Sequence, residues 1–447
     1  MKVKLQKSWD TLNSSYWFVP TIMATTAVVL AFSMLTLDRM GKDGPVEKWG
    51  WIYTGGPDGA RGLLSAVVGS MISVTATAFS ISIVALQLAS SNFGPRLMRT
   101  FMQDRGNQFV LGAFISTFVY CLLVLRAVRG QDYDIFVPQL SVTVGIVLAL
   151  ISVGVLIYFI NHASTIIQTS HVINEVTTDL DQAIDRLFPE KLGQSTSPSK
   201  HKIGEIPASF DSRSYQIQST ANGYLQVIDE DRLLKLAREN DLLLRVDPRP
   251  GKFVIEGSEL VMAFPKERVD EKLAEQIENT FILGRERTEQ QDIEFPITEL
   301  VEMALRALSP GINDPFTAVR CIDRLSAGLS RLAQKDYPSP YRYDEDENLR
   351  VIANPITFPE LADAAFNQIR RYGQSDVSVT IRLLEAIARI APYTRNQKDR
   401  AALLHHAQMI ERGSCEAVGE EYDSDFIKEQ YEAAVKALEL RSKQDWD

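Results

Sequence analysis

The sequence predicts an α-helical membrane domain of four transmembrane helices, joined to a soluble α+β domain that is mainly helical with a small β module. Three observations predict it. Four apolar stretches before residue 162 are each long enough to cross a bilayer core of about 30 Å at 1.5 Å per residue. Beyond that point charged residues become dense, so the net charge of −10 over 447 residues and the near-neutral mean hydropathy average two unlike compositions. Within the charged part, a stretch punctuated by glycine and proline reads as short strands, and helical periodicity follows it. The expected divisions are a transmembrane domain over 1–162, a helical stalk over 163–190, a linker over 191–213, a β-rich module over 214–265 and a mainly helical cytoplasmic domain over 266–447.

The spans are expected at residues 17–37, 63–88, 107–125 and 139–162. Lys2, Lys4 and Lys7 precede an apolar run too long for a signal-peptide core, so the first span reads as retained. Tyr16 and Trp17 suit the headgroup zone, and Trp49, Trp51 and Tyr53 in the first loop are expected to rest on the membrane surface. A short polar turn with Arg126, Arg129, Asp132 and Asp134 separates the last two spans. The fourth span keeps an apolar stripe through Ile166, Ile173, Val176, Leu180, Ile184 and Leu187, which predicts one continuous helix leaving the membrane as a stalk.

The second span is unusually polar. At helical spacing Gly69, Ser73, Ala76, Thr77, Ser80 and Gln87 share one side, while Val67, Met71, Val74, Ile81 and Leu88 lie mostly elsewhere. Two physical readings fit a small, hydroxylated face. Small residues let helices approach closely, and the same residues also suit a water-filled pore or transport cavity. Ser90, Ser91, Asn92, Gly94 and Pro95 then read as a break, with Arg96, Arg99 and Arg105 after it, an interface turn able to attract anions or lipid phosphates. No ionisable residue lies inside any span, which lowers the reading of a proton- or ion-coupled transporter; a pore lined by hydroxyls needs none. Four spans are few for a self-contained pathway, so a pore implies several copies around one axis.

In the soluble part, residues 214–228 alternate around the turn dipeptide Asn222-Gly223, and 229–240 form a short helix burying Leu233, Leu236 and Ala237. Helices are expected at 268–290, 296–308, 315–334, 358–372, 377–390, 397–415 and 424–440, with a short strand at 349–352 after the acidic turn Asp344-Glu345-Asp346-Glu347. Between two helices sits Ser309-Pro310-Gly311-Ile312-Asn313-Asp314-Pro315-Phe316-Thr317-Ala318. Pro310 and Gly311 end one helix, Asn313 or Asp314 caps the next, and Pro315 suits its first position. The stretch is a tight corner, or a ligand or gating corner in which Ser309, Pro310, Gly311, Asn313, Asp314 and Thr317 meet a small polar or anionic group.

That decapeptide, with the second span running into Gln87-Leu88-Ala89-Ser90-Ser91-Asn92-Phe93-Gly94-Pro95-Arg96, resembles an uncharacterised family of predicted bacterial membrane proteins. The resemblance covers essentially the whole chain. It implies four amino-terminal spans before a cytoplasmic domain and carries no activity or catalytic residue. Over a fragment, Leu86-Gln87 and Ser91-Asn92 resemble the pore helix of small-conductance mechanosensitive channels, although the strand-rich domain expected directly after that helix is replaced by two more spans. Arg249-Pro250-Gly251-Lys252-Phe253-Val254, then Glu256-Gly257 and Leu260, resembles the turn grammar of biotinyl, lipoyl and efflux-adaptor modules. The modification lysine of those carriers is absent, so no prosthetic group is expected.

No phosphate loop, zinc-protease helix or nucleophile elbow is present, which excludes the readiest enzyme classes. Cys121, Cys321 and Cys415 make no disulfide framework or metal spacing, and a reducing compartment suits them. His162, His171, His201, His405 and His406 are too scattered for a metal site, and Glu420, Glu421, Asp423 and Asp425 read as a solvated run. The acidic balance without a basic stripe argues against nucleic acid. The expectation is therefore a non-enzymatic, homo-oligomeric channel gated by its cytoplasmic domain, without metal or cofactor; the alternative is a membrane-anchored sensor or scaffold binding a small ligand or a protein partner. An even number of spans puts both termini on one side, and the lysine-rich start together with a large soluble domain that has no disulfide framework places them in the cytoplasm of a cell whose inner membrane holds the chain. Basic residues are balanced between the loops and do not decide this.

Overall fold

The computed structural model describes residues 17–40, 52–93, 104–129, 136–166, 168–188 and 206–444. It divides into two compact units, Met1–Val172 and Ile173–Asp447.

The first unit holds four long apolar helices, α1 (Phe18–Met40), α2 (Pro57–Phe93), α3 (Arg105–Ala127) and α4 (Gln139–Ile166). Each is long and apolar enough to cross a membrane. Helix α3 is the centre of the bundle and packs on the other three. Its approach to α1 needs a glycine, because a Cβ at Gly112 would lie 2.4 Å from Met23 Sδ and 3.3 Å from Pro20 Cα. Ala27, Ala31 and Leu35 of α1 and Ala60, Leu64, Met71, Ala78 and Ala85 of α2 are buried at helical spacing. Two buried hydroxyls, Thr117 of α3 and Ser152 of α4, hydrogen-bond at 2.9 Å.

One end of the bundle is laced by polar contacts. Asp38 of α1 accepts from the first-turn amides of α4, Leu140 N and Ser141 N, each at 2.9 Å, and from the Ser141 hydroxyl. Tyr120 donates to the Ser141 carbonyl at 3.0 Å, Tyr53 N donates to Thr143 Oγ1 at 2.9 Å, and Arg61 donates to the Val128 carbonyl at 3.3 Å. Tyr53 thus packs on this end of the bundle, half-buried, with its hydroxyl donating to the Gly56 carbonyl at 3.2 Å. Trp49 and Trp51 lie outside the described residues.

Two sequence expectations fail here. Helix α2 continues through Ser90, Ser91 and Asn92 to Phe93, so no break begins at Ser90. Serine and asparagine weaken a helix by only tenths of a kcal/mol, about 0.5 each, too little to end one of this length. The stalk is not one helix with the fourth span either: α4 ends at Ile166 and α5 (Thr169–Leu187) begins after Gln168. Thr165 returns its hydroxyl to the Asn161 carbonyl, and the Gln168 amide closes a tight bond to the Thr165 carbonyl at 3.1 Å, which ends the helix.

In the second unit the stripe Ile173, Val176, Leu180 and Ile184 of α5 is buried as its spacing predicts. After α6 (Phe210–Arg213) come β1 (Tyr215–Gln218), β2 (Gly223–Ile228), α7 (Glu230–Glu239), β3 (Leu243–Val246), β4 (Phe253–Val254), β5 (Glu259–Phe264), α8 (Glu271–Glu278) and β6 (Phe281–Gly284). Helices α9 (Glu294–Ala307) and α10 (Pro315–Leu332) lead to β7 (Tyr341–Tyr343) and β8 (Leu349–Ala353). The chain ends in α11 (Phe358–Tyr372), α12 (Val377–Ile390), α13 (Gln397–Ala417) and α14 (Glu421–Gln444). A five-stranded sheet runs β1-β5-β3-β8-β7 and a three-stranded one β4-β2-β6, with only the β3–β8 pair parallel. β1 and β2 therefore stand on either side of Asn222, with Gly223 the first residue of β2, but enter different sheets.

The helix expected over 268–290 is replaced by α8 and β6. Phe281, Ile282 and Leu283 pair with β2, and this tertiary pairing overrides an ambiguous local pattern. The Arg249–Lys252 turn is fastened to the helices beyond: Arg249 grips Glu360 with bonds of 2.7 and 3.0 Å, and Lys252 lies 3.1 Å from Glu294. The Arg249 hydrogen bonds hold the Glu360 carboxyl down at about 2. Gly251, at φ +89°, sits where any Cβ would fall within 2.1 Å of Asp292 Oδ2.

Candidate functional site

Two places on the fold carry the residues singled out by the sequence, one in each unit. Along α2, Gly69, Ser73, Ala76, Thr77, Ser80 and Gln87 fall within an arc of about 100° at 100° per residue, and all six are exposed. The other three spans pack on the opposite side, where Leu64, Met71, Ala78, Ser82 and Ala85 are buried. Gly69 has nothing within 4 Å of where a Cβ would stand. The hydroxyls are not left unpaired: Ser73 donates to the Gly69 carbonyl at 3.2 Å, Thr77 to Ser73 at 2.9 Å and Ser80 to Ala76 at 2.9 Å. Each can turn outward to water or stay on its helix, so the face is compatible with water, lipid or another helix. Ser91 and Asn92 belong to the last turn of α2, while Gly94, Pro95 and Arg96 lie outside the described residues.

The second place is the corner between α9 and α10. Ser309 returns its hydroxyl to the Arg306 carbonyl at 2.6 Å, and its own carbonyl accepts from Ile312 N at 3.0 Å and Asn313 N at 2.9 Å. Asp314 caps α10, accepting from Thr317 N at 3.1 Å and Thr317 Oγ1 at 2.6 Å, with Pro315 at the first position. Asn313 stands at φ +50°, a left-handed conformation that asparagine tolerates. Asp314 and Thr317 thus use their polar atoms on each other, while Pro310, Gly311 and Asn313 are exposed. Sequence reasoning missed the apolar part of the corner: Phe316 is 74% exposed and Ile312 41%. Its signal was an aromatic residue in the first turn of a helix, on the side away from the buried positions Thr317, Ala318 and Cys321. Burial pushes the Cys321 thiol up to about 12, so it is an inert core group.

Because Asn313 serves through its backbone, its replacements should sort by conformation. Asn313→Gly is expected to leave stability unchanged, and Asn313→Val to cost about 1–2 kcal/mol in urea unfolding. Equal destabilisation by both would show instead that the amide side chain makes a needed contact.

The histidines are apart. His162 meets Asp104 at 2.7 Å and stacks on Tyr158; His406 is buried against Phe366 and reaches Asp363 at 3.0 Å. His405 next to it is exposed, and His201 lies outside the described residues. Among the described residues no group of three or more His, Cys, Asp or Glu is placed to hold a metal ion.

Four apolar spans followed by a soluble unit of helices and small sheets define a multi-pass membrane protein. The chain belongs to the family described as Predicted membrane protein (DUF2254), whose model matches residues 13–389, a range holding both stretches described above. It is similar to two curated proteins from mycobacteria, Uncharacterized protein Rv1290c of Mycobacterium tuberculosis H37Rv and Uncharacterized protein Mb1321c of Mycobacterium bovis. Each is 29% identical over 436 residues, covering 96% of this chain and 81% of the relative. No solved structure matches.

Proposed function

We propose that the chain is an oligomeric channel for an ion or small solute, its pathway lined by α2 of several copies and gated by the soluble unit through α5. One observation carries this reading: the small, hydroxylated residues of α2 lie on the side its own bundle leaves uncovered, where Val84 is exposed among them. A face rich in serine and threonine, turned away from the fold's own helices, has a use if copies surround a wet axis. The reading includes insertion in the inner membrane with both termini in the cytoplasm, and it needs no enzyme chemistry, cofactor or nucleic acid.

The test is reconstitution in planar bilayers, recording current in symmetric salt with and without tension. Discrete conductance steps are expected, and Ser80→Leu together with Gln87→Leu should lower the step size several-fold by replacing polar lining with bulk. Silence from protein shown to be folded and inserted, or steps untouched by the double variant, would remove α2 as the lining.

A second reading rests on exposed Phe316 and Ile312 beside Asn313. In it the spans anchor a sensor or scaffold, and the corner takes a small ligand or a partner protein with an apolar contact. Binding lost in Phe316→Ser without any change in current would favour it.

A further inference from the structure

The outward side of the membrane unit carries a groove of about 500 Å³ between the start of α3 and the middle of α4, lined by Arg105, Phe109, Ile151, Gly154, Val155 and Tyr158. Most of its wall is apolar, and Phe109, Ile151 and Tyr158 are about half exposed, as side chains bordering lipid would be. Gly154 makes the floor: a Cβ there would meet nothing within 4 Å, so the groove is open along α4. From Tyr158 to Ile151 it follows two turns, about 10 Å.

The polar end is built by neighbouring contacts. Gly106 lets His162 press onto the start of α3, since a Cβ there would lie 2.3 Å from His162 Nε2. His162 is held by Asp104 at 2.7 Å and stacks on Tyr158 with ring centres 5.1 Å apart, which orients the phenol along the groove. The Asp104 carboxylate also accepts from Asn107 N at 2.8 Å. With that acid engaged, Arg105 forms no ion pair among the described residues, and it is exposed. A lone guanidinium at the mouth of an apolar groove, where a span leaves the membrane, complements a phosphate attached to a hydrocarbon chain.

We propose that this groove holds one anionic phospholipid, its phosphate on Arg105 and one acyl chain lying over Gly154. Native mass spectrometry of the full-length protein, released from detergent with phosphatidylglycerol or phosphatidylcholine of identical chains, tests it. The wild type should retain phosphatidylglycerol in preference, and Arg105→Gln should lower its retention about fivefold, towards the phosphatidylcholine level. Gly154→Leu, which fills the floor in open space and leaves the bundle contacts alone, should lower both lipids, and Gly154→Ala should fall between. Continued protection of the buried Cys121 thiol from labelling shows that each variant is folded. Unchanged retention in Gly154→Leu, or equal losses of both lipids in Arg105→Gln, would overturn the proposal. So would displacement by excess glycerol 3-phosphate, which would assign the site to a soluble phosphate ligand.

Discussion

Asp38→Ala is expected to loosen the membrane unit by about 3 kcal/mol, from the loss of three hydrogen bonds to a half-exposed carboxylate at about 1 kcal/mol each. The size follows from where the acceptors point. Leu140 N and Ser141 N belong to the first turn of α4 and have no partner within that helix, and the Ser141 hydroxyl joins them on the same carboxylate. The capping residue comes from another span, so its loss also unties α1 from α4. Cys121 reports the result directly. It is buried in α3, and Gly145 of α4 lies so close that a Cβ there would be 3.4 Å from the Cys121 sulfur. With Cys415 replaced by serine, labelling of Cys121 by a thiol-reactive dye should speed up roughly a hundredfold, while Cys321, buried in the other unit, stays protected. Asp38→Asn keeps an acceptor and should lie between. Equal labelling of Cys121 in the wild type and Asp38→Ala would mean that the cap does not hold α4.

The spans and the last four helices were legible in the sequence because one periodicity decides them. Helices α11 and α12 have the ends their caps predict, with Thr357 and Glu360 in a capping box and Asp376 accepting from Val379 N. Phe281, Ile282 and Leu283 were not legible as a strand. Four apolar-rich residues fit either period, and only β2, more than fifty residues earlier, decides between them. The same limit applies to the sites. Spacing alone gathers Gly69, Ser73, Ala76, Thr77, Ser80 and Gln87 on one side of a helix, but which side faces the bundle depends on α3 and α4. Arg105 reads as one more basic residue after a turn. Its groove exists because Gly154, about fifty residues later, leaves room and His162 turns Tyr158, neither of which is local.

The soluble unit holds α5 by a contact that one substitution should break. Gly328 of α10 is buried, and a Cβ in its place would lie 2.6 Å from Leu180 Cδ2, so any side chain there makes the buried Leu180 shift. Around it Arg331 pairs with Asp181 and with Asp185, and Arg324 donates to Asn174 at 2.9 Å. These charged contacts are at least a third exposed and fix register more than they stabilise. Gly328→Leu is therefore expected to cost about 3 kcal/mol through overpacking. Labelling of Cys321, on the buried face of the same helix, should accelerate by about two decades, and adding Leu180→Ala should recover most of the loss, as for residues in direct contact. If α5 transmits gating, Gly328→Leu should change the open fraction in planar bilayers and leave the conductance step alone, because α2 is untouched. Ser80→Leu with Gln87→Leu should do the reverse. Faster Cys321 labelling with an unaltered open fraction would separate α5 from the gate and leave it a structural strut of the soluble unit.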